Sequence, residues 1–188
     1  FSRFHPTQLR LVWKIAEILI LLLWKVPESL QPYLIEADLA GDHSRIKRLY
    51  SIMVWSVCLT ALAIGILYSL FGGWFVTLWV GNEHIQPEPW AFVLAGGAIF
   101  WLGSARSPAL FAYSLKRFER LNKIVFIEAL SKLVLIVVLV PIVGYTAPLM
   151  AINVTYILGI AWAYTYLGRE IARSAGIKAG SHTDEPIV

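Results

Sequence analysis

Six ionisable residues lie within or beside apolar stretches of the sequence, and their chemistry stands out from the surroundings. They are Arg10, Lys14, Glu17, Arg106, Glu128 and Lys132. An ionisable side chain inside a bilayer is costly and usually faces protein or water, so each is a candidate for binding or coupling. The alternative for Lys14 with Glu17, and for Glu128 with Lys132, is a local ion pair that neutralises both charges. The sequence therefore predicts either a cavity lined by charges or helices neutralised along their length.

The charges of the first apolar segment follow one helical face. Steps of three or four residues connect Arg10, Lys14, Glu17, Leu21, Lys25 and Glu28. One interpretation is a charged stripe that lines an aqueous cavity. In the other, the inner residues pair locally and the end residues extend to the membrane interface.

Arg106 is the single charge in its apolar segment, with Ser107 and Pro108 beside it. A lone arginine inside a membrane needs a carboxylate or an anionic ligand. Glu17 and Glu128 are the carboxylates that we expect at a similar depth. Pro108 frees a backbone carbonyl and is expected to kink the helix.

The composition is that of a membrane protein. The 188 residues are 58% hydrophobic and 15% charged, whereas soluble domains are roughly 45–50% apolar and about 25% charged. The apolar stretches do not alternate as barrel strands do. We therefore predict an all-α, polytopic membrane helix bundle with about five transmembrane helices. The predicted spans are residues 9–26, 50–71, 90–115, 123–143 and 146–167.

Loop charge predicts how the spans are oriented. The first loop contains Arg45, Lys47 and Arg48, whereas residues 72–89 contain no Lys or Arg. The same alternation continues to the carboxy-terminal tail, and cytoplasmic loops carry the excess of Lys and Arg. We expect the amino terminus outside, and residues 169–188 as a disordered cytoplasmic tail.

The sequence lacks the usual signatures of catalysis. The four histidines are scattered, Cys58 is the lone cysteine, and the glycines form no phosphate loop. We expect no enzyme activity, metal or cofactor, although Glu83, His84 and Glu88 leave a membrane enzyme as an alternative. Because the basic residues flank apolar spans, we expect no nucleic-acid partner.

Three stretches resemble the oligosaccharide and polysaccharide flippases, which share a superfamily with multidrug exporters. Residues 32–42 (PYLIEADLAGD), followed by residues 45–49 (RIKRL), resemble the loop between the second and third helices of each lobe. Residues 75–81, and the stretch from Asn122 through Glu128 and Lys132 to residues 141–144, are similar to later helices. Gly41 suits a helix C-cap, and Asp42 or Ser44 suits the following N-cap.

The resemblance implies two lobes of six helices around a central cavity that works by alternating access. The five predicted helices correspond to most of one lobe. The chain begins at Phe1, and we expect it to be a fragment. The implied partners are membrane lipid and either the missing lobe or a second copy of the chain.

The function implied by the resemblance is part of a transporter in the bacterial inner membrane. It would flip lipid-linked oligosaccharide or polysaccharide precursors of the undecaprenyl-pyrophosphate type. By position and chemistry, the cavity cations would be Arg10, Lys14, Arg106 and Lys132, with Glu17 and Glu128 as counter-ions or coupling groups. The alternatives are a multidrug-type exporter of the same superfamily and a non-transporting remnant or assembly subunit.

Overall fold

The computed structural model describes residues 6–80, 87–116 and 118–177, and nearly all of them are helical. Within these ranges no strand occurs, which confirms the all-α prediction. A 3₁₀ turn (Gly144–Thr146) precedes α5, and a π-helical turn (Tyr156–Ile160) separates α5 from α6. The helices are α1 (Pro6–Leu39), α2 (His43–Val80), α3 (Pro89–Ser114), α4 (Phe118–Val143), α5 (Ala147–Thr155) and α6 (Ala161–Ile177).

Two helical stretches are long and apolar enough to cross a membrane. In the described part of the chain they are His43–Trp79 and Phe118–Glu170, the second of which contains both predicted spans 123–143 and 146–167. By length and composition the structure thus supports two such stretches where the sequence predicted five spans. Helix α1, which contains Lys14, Glu17 and Lys25, is not one of these stretches. The two stretches indicate association with a membrane.

The helices extend beyond the predicted spans. The first span was predicted to end at residue 26, but α1 continues through Pro27 and Pro32 to Leu39. The polar loop after the second span was predicted from residue 72, but α2 continues to Val80; residues 81–86 lie outside the described residues. The disordered tail was predicted from residue 169, but α6 continues to Ile177, and residues 178–188 are likewise outside the described ranges.

A tight turn joins α1 to α2, as the sequence predicted. Gly41 has a φ of 67°, a left-handed conformation that glycine adopts at low cost at the end of a helix. Asp42 then caps α2, because its Oδ1 accepts hydrogen bonds from the Arg45 backbone N–H at 3.0 Å and the Ser44 hydroxyl at 2.8 Å. These two donors hold the pKa of Asp42 below its usual value. The turn makes α1 and α2 an antiparallel hairpin.

Helices α2 and α3 approach each other closely at two glycines. A Cβ atom on Gly65 would lie 2.6 Å from the Gly96 carbonyl oxygen. Ser69, one turn after Gly65, donates its hydroxyl to the Gly65 carbonyl oxygen at 2.8 Å. Small residues at a helix contact let two backbones pack tightly in a membrane. This contact fixes α3 against the hairpin.

Helix α4 has the reverse of the arrangement found in soluble proteins. Its buried residues are Leu121 and Glu128. Its exposed large apolar residues are Phe118, Val125, Phe126, Ile127, Leu130, Leu133, Val134, Val137, Val138, Val140 and Ile142. A carboxylate inside and an apolar surface outside is the pattern of a helix that contacts lipid.

Candidate functional site

A groove of about 740 Å³ lies between α1, α3, α4 and the turn that joins α5 to α6. This volume is within the range of small-molecule sites, roughly 300–1,000 Å³. Charged and aromatic side chains line it among apolar ones. The lining residues used below are Trp24, Glu28, Arg106, Tyr113, Glu128, Tyr156 and Tyr164.

Arg106 is held at the α1 side of the groove by a carboxylate and an aromatic ring. Its Nη2 donates to Glu28 Oε1 at 3.3 Å, and its guanidinium carbon lies 4.7 Å from the centroid of the Trp24 ring. Trp24 is itself fixed, because its Nε1–H donates to the Leu102 carbonyl oxygen at 3.2 Å. Stacking on the indole stabilises the cation without neutralising it.

The same carboxylate is shared with a second cation. Lys25 Nζ donates to Glu28 Oε2 at 2.8 Å, so each oxygen of Glu28 has its own partner. The Arg106 Nε is buried and has no hydrogen-bond partner among the described residues. A guanidinium has five N–H donors, so the pair with Glu28 leaves most of the donor capacity of Arg106 unused.

Glu128 is the most enclosed charge of the groove, with its side chain 11% exposed. The Tyr156 hydroxyl donates to its Oε1 at 2.7 Å, and the Tyr164 hydroxyl donates to its Oε2 at 2.8 Å. Lys132, one turn later on α4, forms an ion pair with Oε1 and lies over the Tyr156 ring at 5.1 Å. The carboxylate thus gathers two hydroxyl groups and one ammonium group around it.

The π-helical turn explains how both tyrosines reach one carboxylate. In a regular α-helix, residues eight apart point about 80° away from each other. The wider turn at Tyr156–Ile160 contains one extra residue. Tyr164 therefore has the direction that a residue seven positions after Tyr156 has in a regular α-helix, within about 20° of Tyr156. Turns of this kind are frequent at functional sites. The turn therefore builds the two-hydroxyl contact with Glu128.

The structure brings three of the six sequence-predicted site residues together. Arg106 and Glu128 line the groove, and Lys132 contacts Glu128. Lys14 and Glu17 pair with each other at 2.7 Å away from the groove, with the Lys14 side chain 66% exposed. Arg10 is exposed near the start of α1.

The sequence named the wrong partner for Arg106. Glu17 and Glu128 were expected, whereas the structure pairs Arg106 with Glu28. The reason is that α1 continues past Pro27, which keeps Glu28 on a helix rather than in a loop. The sequence signal was available, since Glu28 belongs to the charged stripe of α1.

Two further features of the groove were weak or missing in the sequence. Tyr156 and Tyr164 were not among the predicted site residues, and their shared hydrogen-bond acceptor, Glu128, was not foreseen. Trp24 was not singled out at all, although it lies four residues before Glu28, one helical turn away. In the described ranges, no group of three or more His, Cys, Asp or Glu could hold a metal ion.

Comparisons with known proteins give no relative from which to transfer a function. No family model, curated protein or solved structure matches the chain.

Proposed function

We propose that this chain is part of a transporter that flips lipid-linked oligosaccharide or polysaccharide precursors across the bacterial inner membrane by alternating access. The observation that carries the proposal is a partly exposed arginine in a groove within an apolar helix bundle. Arg106 lines the groove and its Nε has no partner among the described residues. A guanidinium is suited to bind a phosphate or diphosphate through two parallel hydrogen bonds.

The remaining lining suits the other parts of such a substrate. Trp24 and Tyr113 also line the groove, and sugars pack well against aromatic rings. The apolar surface of α4, which includes Phe126 and Val137, suits a prenyl chain that remains in the bilayer. The groove and the outer surface of α4 together thus provide contacts for the charged, the polar and the apolar parts of the substrate.

The proposed topology places the charged residues of the groove on one side of the membrane. If the five predicted spans cross the membrane with their basic loops in the cytoplasm, the second halves of α1 and α3 and the first half of α4 lie on the cytoplasmic side. Glu28, Arg106 and Glu128 belong to these halves. A precursor assembled in the cytoplasm would therefore meet Arg106 first.

Alternating access needs a second body that moves against this one. The groove is partly open, so a second lobe or a second copy of the chain has a surface to close against. Glu128, held by Tyr156, Tyr164 and Lys132, is our candidate for coupling that movement to an ion. The contact links α4 to the π-helical turn through Tyr156 and to α6 through Tyr164.

A multidrug-type exporter of the same superfamily is the second candidate. Glu28 and Glu128 give the groove two carboxylates beside aromatic rings, and this combination also suits an organic cation. The two functions predict ligands of opposite charge, so they can be distinguished.

The test is equilibrium binding to the protein reconstituted in nanodiscs. A fluorescent prenyl-diphosphate oligosaccharide and the organic cation ethidium are titrated separately. The flippase proposal predicts saturable binding of the diphosphate, which Arg106→Gln weakens at least tenfold. Saturable binding of ethidium that depends on Glu128, with no binding of the diphosphate, would favour the exporter.

A further inference from the structure

The ion pair between Glu28 and Arg106 places a carboxylate where a substrate anion would have to bind. The Arg106 Nη2 to Glu28 Oε1 distance is 3.3 Å, longer than the roughly 2.7–2.9 Å of a strong charged hydrogen bond. The two side chains are 36% and 31% exposed, so the pair is accessible from the groove. The contact is thus weak enough to exchange.

Glu28 has a better partner than Arg106. Lys25 lies one helical turn earlier on α1 and donates to the other Glu28 oxygen at 2.8 Å. If Arg106 is taken by another anion, Glu28 keeps this partner and is not left as an unpaired charge. The exchange therefore avoids the cost of stranding a carboxylate.

Arg106 is held in position independently of Glu28. Its guanidinium stacks on the Trp24 ring, and that ring is fixed by its hydrogen bond to Leu102. Neither of these two contacts involves Glu28, so both still hold the arginine when Glu28 is displaced. The site is therefore organised before the ligand arrives, which lowers the entropic cost of binding.

We propose that Glu28 is an internal competitor for Arg106, which a phosphate or diphosphate group displaces and which Lys25 retains after displacement. This inference rests on the proposed function and adds a selection step to the same groove. A ligand with a single carboxylate only replaces what Glu28 already provides. A diphosphate brings more charge and more acceptor oxygens, so it gains from the exchange.

The test measures the affinity of two probes, inorganic pyrophosphate and farnesyl diphosphate, by isothermal titration calorimetry on the protein in nanodiscs. Glu28→Gln should tighten binding of both probes about fivefold, which corresponds to removing a partly exposed ion pair of up to ~1 kcal/mol. Lys25→Gln should have the opposite effect, because the displaced Glu28 loses its partner. Two variants with opposite signs keep the test valid if one of them does not fold.

Helix α1 provides a matched control. Lys14 and Glu17 form a pair with the same spacing and a similar distance, 2.7 Å, but lie away from the groove. Glu17→Gln removes the same charge from the same helix and should leave both affinities unchanged. An equal gain in affinity in Glu17→Gln and Glu28→Gln would mean that the overall charge of the protein determines the affinity. This result would contradict the proposal that Glu28 competes for Arg106.

The outcomes separate this inference from the function on which it rests. One outcome is that the wild type binds a probe, that Arg106→Gln abolishes the binding, and that Glu28→Gln leaves the affinity unchanged. In that case Glu28 is not a competitor for Arg106, and the proposed function stands. If the wild type binds neither probe, the proposed function fails as well. Tighter binding of farnesyl diphosphate than of pyrophosphate supports a lipid-borne phosphate. Equal affinities for the two probes would contradict a lipid-borne ligand and indicate a free phosphate ligand.

Discussion

The pair formed by Glu128 and Lys132 should behave as one unit when it is mutated. The two side chains are 11% and 22% exposed, and the carboxylate has two tyrosine hydroxyls as further donors. Glu128→Leu leaves a lysine and two tyrosine hydroxyls without their partner in apolar surroundings, and breaking a buried pair in this way costs roughly 3–5 kcal/mol in total. Lys132→Met leaves the carboxylate with the tyrosines alone, and we expect about 3 kcal/mol.

The double variant Glu128→Leu/Lys132→Met should cost far less than the sum. It leaves no uncompensated charge, and the remaining penalty is two tyrosine hydroxyls without an acceptor, about 1–3 kcal/mol each if they stay buried. Additive costs would give roughly 6–8 kcal/mol, whereas we expect about 3–4 kcal/mol for the double variant. The coupling energy is then roughly 3 kcal/mol in favour of the intact pair.

The assay is reversible denaturant unfolding in detergent, followed by tryptophan fluorescence of the eight tryptophans. Glu119 and Lys123 are the control pair, with the same spacing and order on the same helix and a distance of 2.9 Å. Because both are strongly exposed, we expect no measurable coupling between them. Additive effects at Glu128 and Lys132 would refute the enclosed, interdependent site.

Three further predictions follow from the fold. Gly96→Val should destabilise the bundle by roughly 1–3 kcal/mol or more, because the new side chain meets the Gly65 backbone; Gly73→Ala, whose Cβ has room, should be close to neutral in the same unfolding assay. Asp42→Asn should flatten the acid limb of the stability curve. Because the pKa of Asp42 is lowered on folding, the ionised side chain stabilises the fold above its unfolded pKa of about 3.9. This stabilisation is lost as pH falls through the folded pKa. The melting temperatures of the wild type and Asp42→Asn should therefore differ at pH 6 and converge towards pH 2. Tyr164→Phe should weaken the α4 contact by about 0.6–2 kcal/mol without changing helix content by circular dichroism, and an unchanged melting temperature would count against that contact.

Local patterns in the sequence were enough to predict the helical class and the α1–α2 turn. Gly41 and Asp42 specify that turn through their own backbone and side-chain preferences, and those preferences do not depend on distant contacts. Arg106 and Glu128 were also identifiable, because a charge in an apolar segment stands out against its neighbours. Features of this kind are local, and the sequence reports them directly.

The partners of these charges could not be read from the sequence in the same way. The first span was predicted to end at residue 26, but α1 continues through Pro27 and places Glu28 beside Arg106. The common target of Tyr156 and Tyr164 depends on a π-helical turn, which a period of 3.6 residues does not predict. Both cases depend on how helices pack together rather than on the residues of one helix.

Translocation by the purified protein tests the central claim most directly. The protein, with any partner that co-purifies from native membranes, is reconstituted in proteoliposomes with a fluorescent lipid-linked oligosaccharide, and dithionite reports the fraction of label on the outer leaflet. We expect transfer between leaflets above that of protein-free vesicles, and a strong reduction with Arg106→Gln but not with Glu17→Gln. Transfer equal to that of protein-free vesicles, or unaffected by Arg106→Gln, would contradict the proposal that this groove carries the substrate.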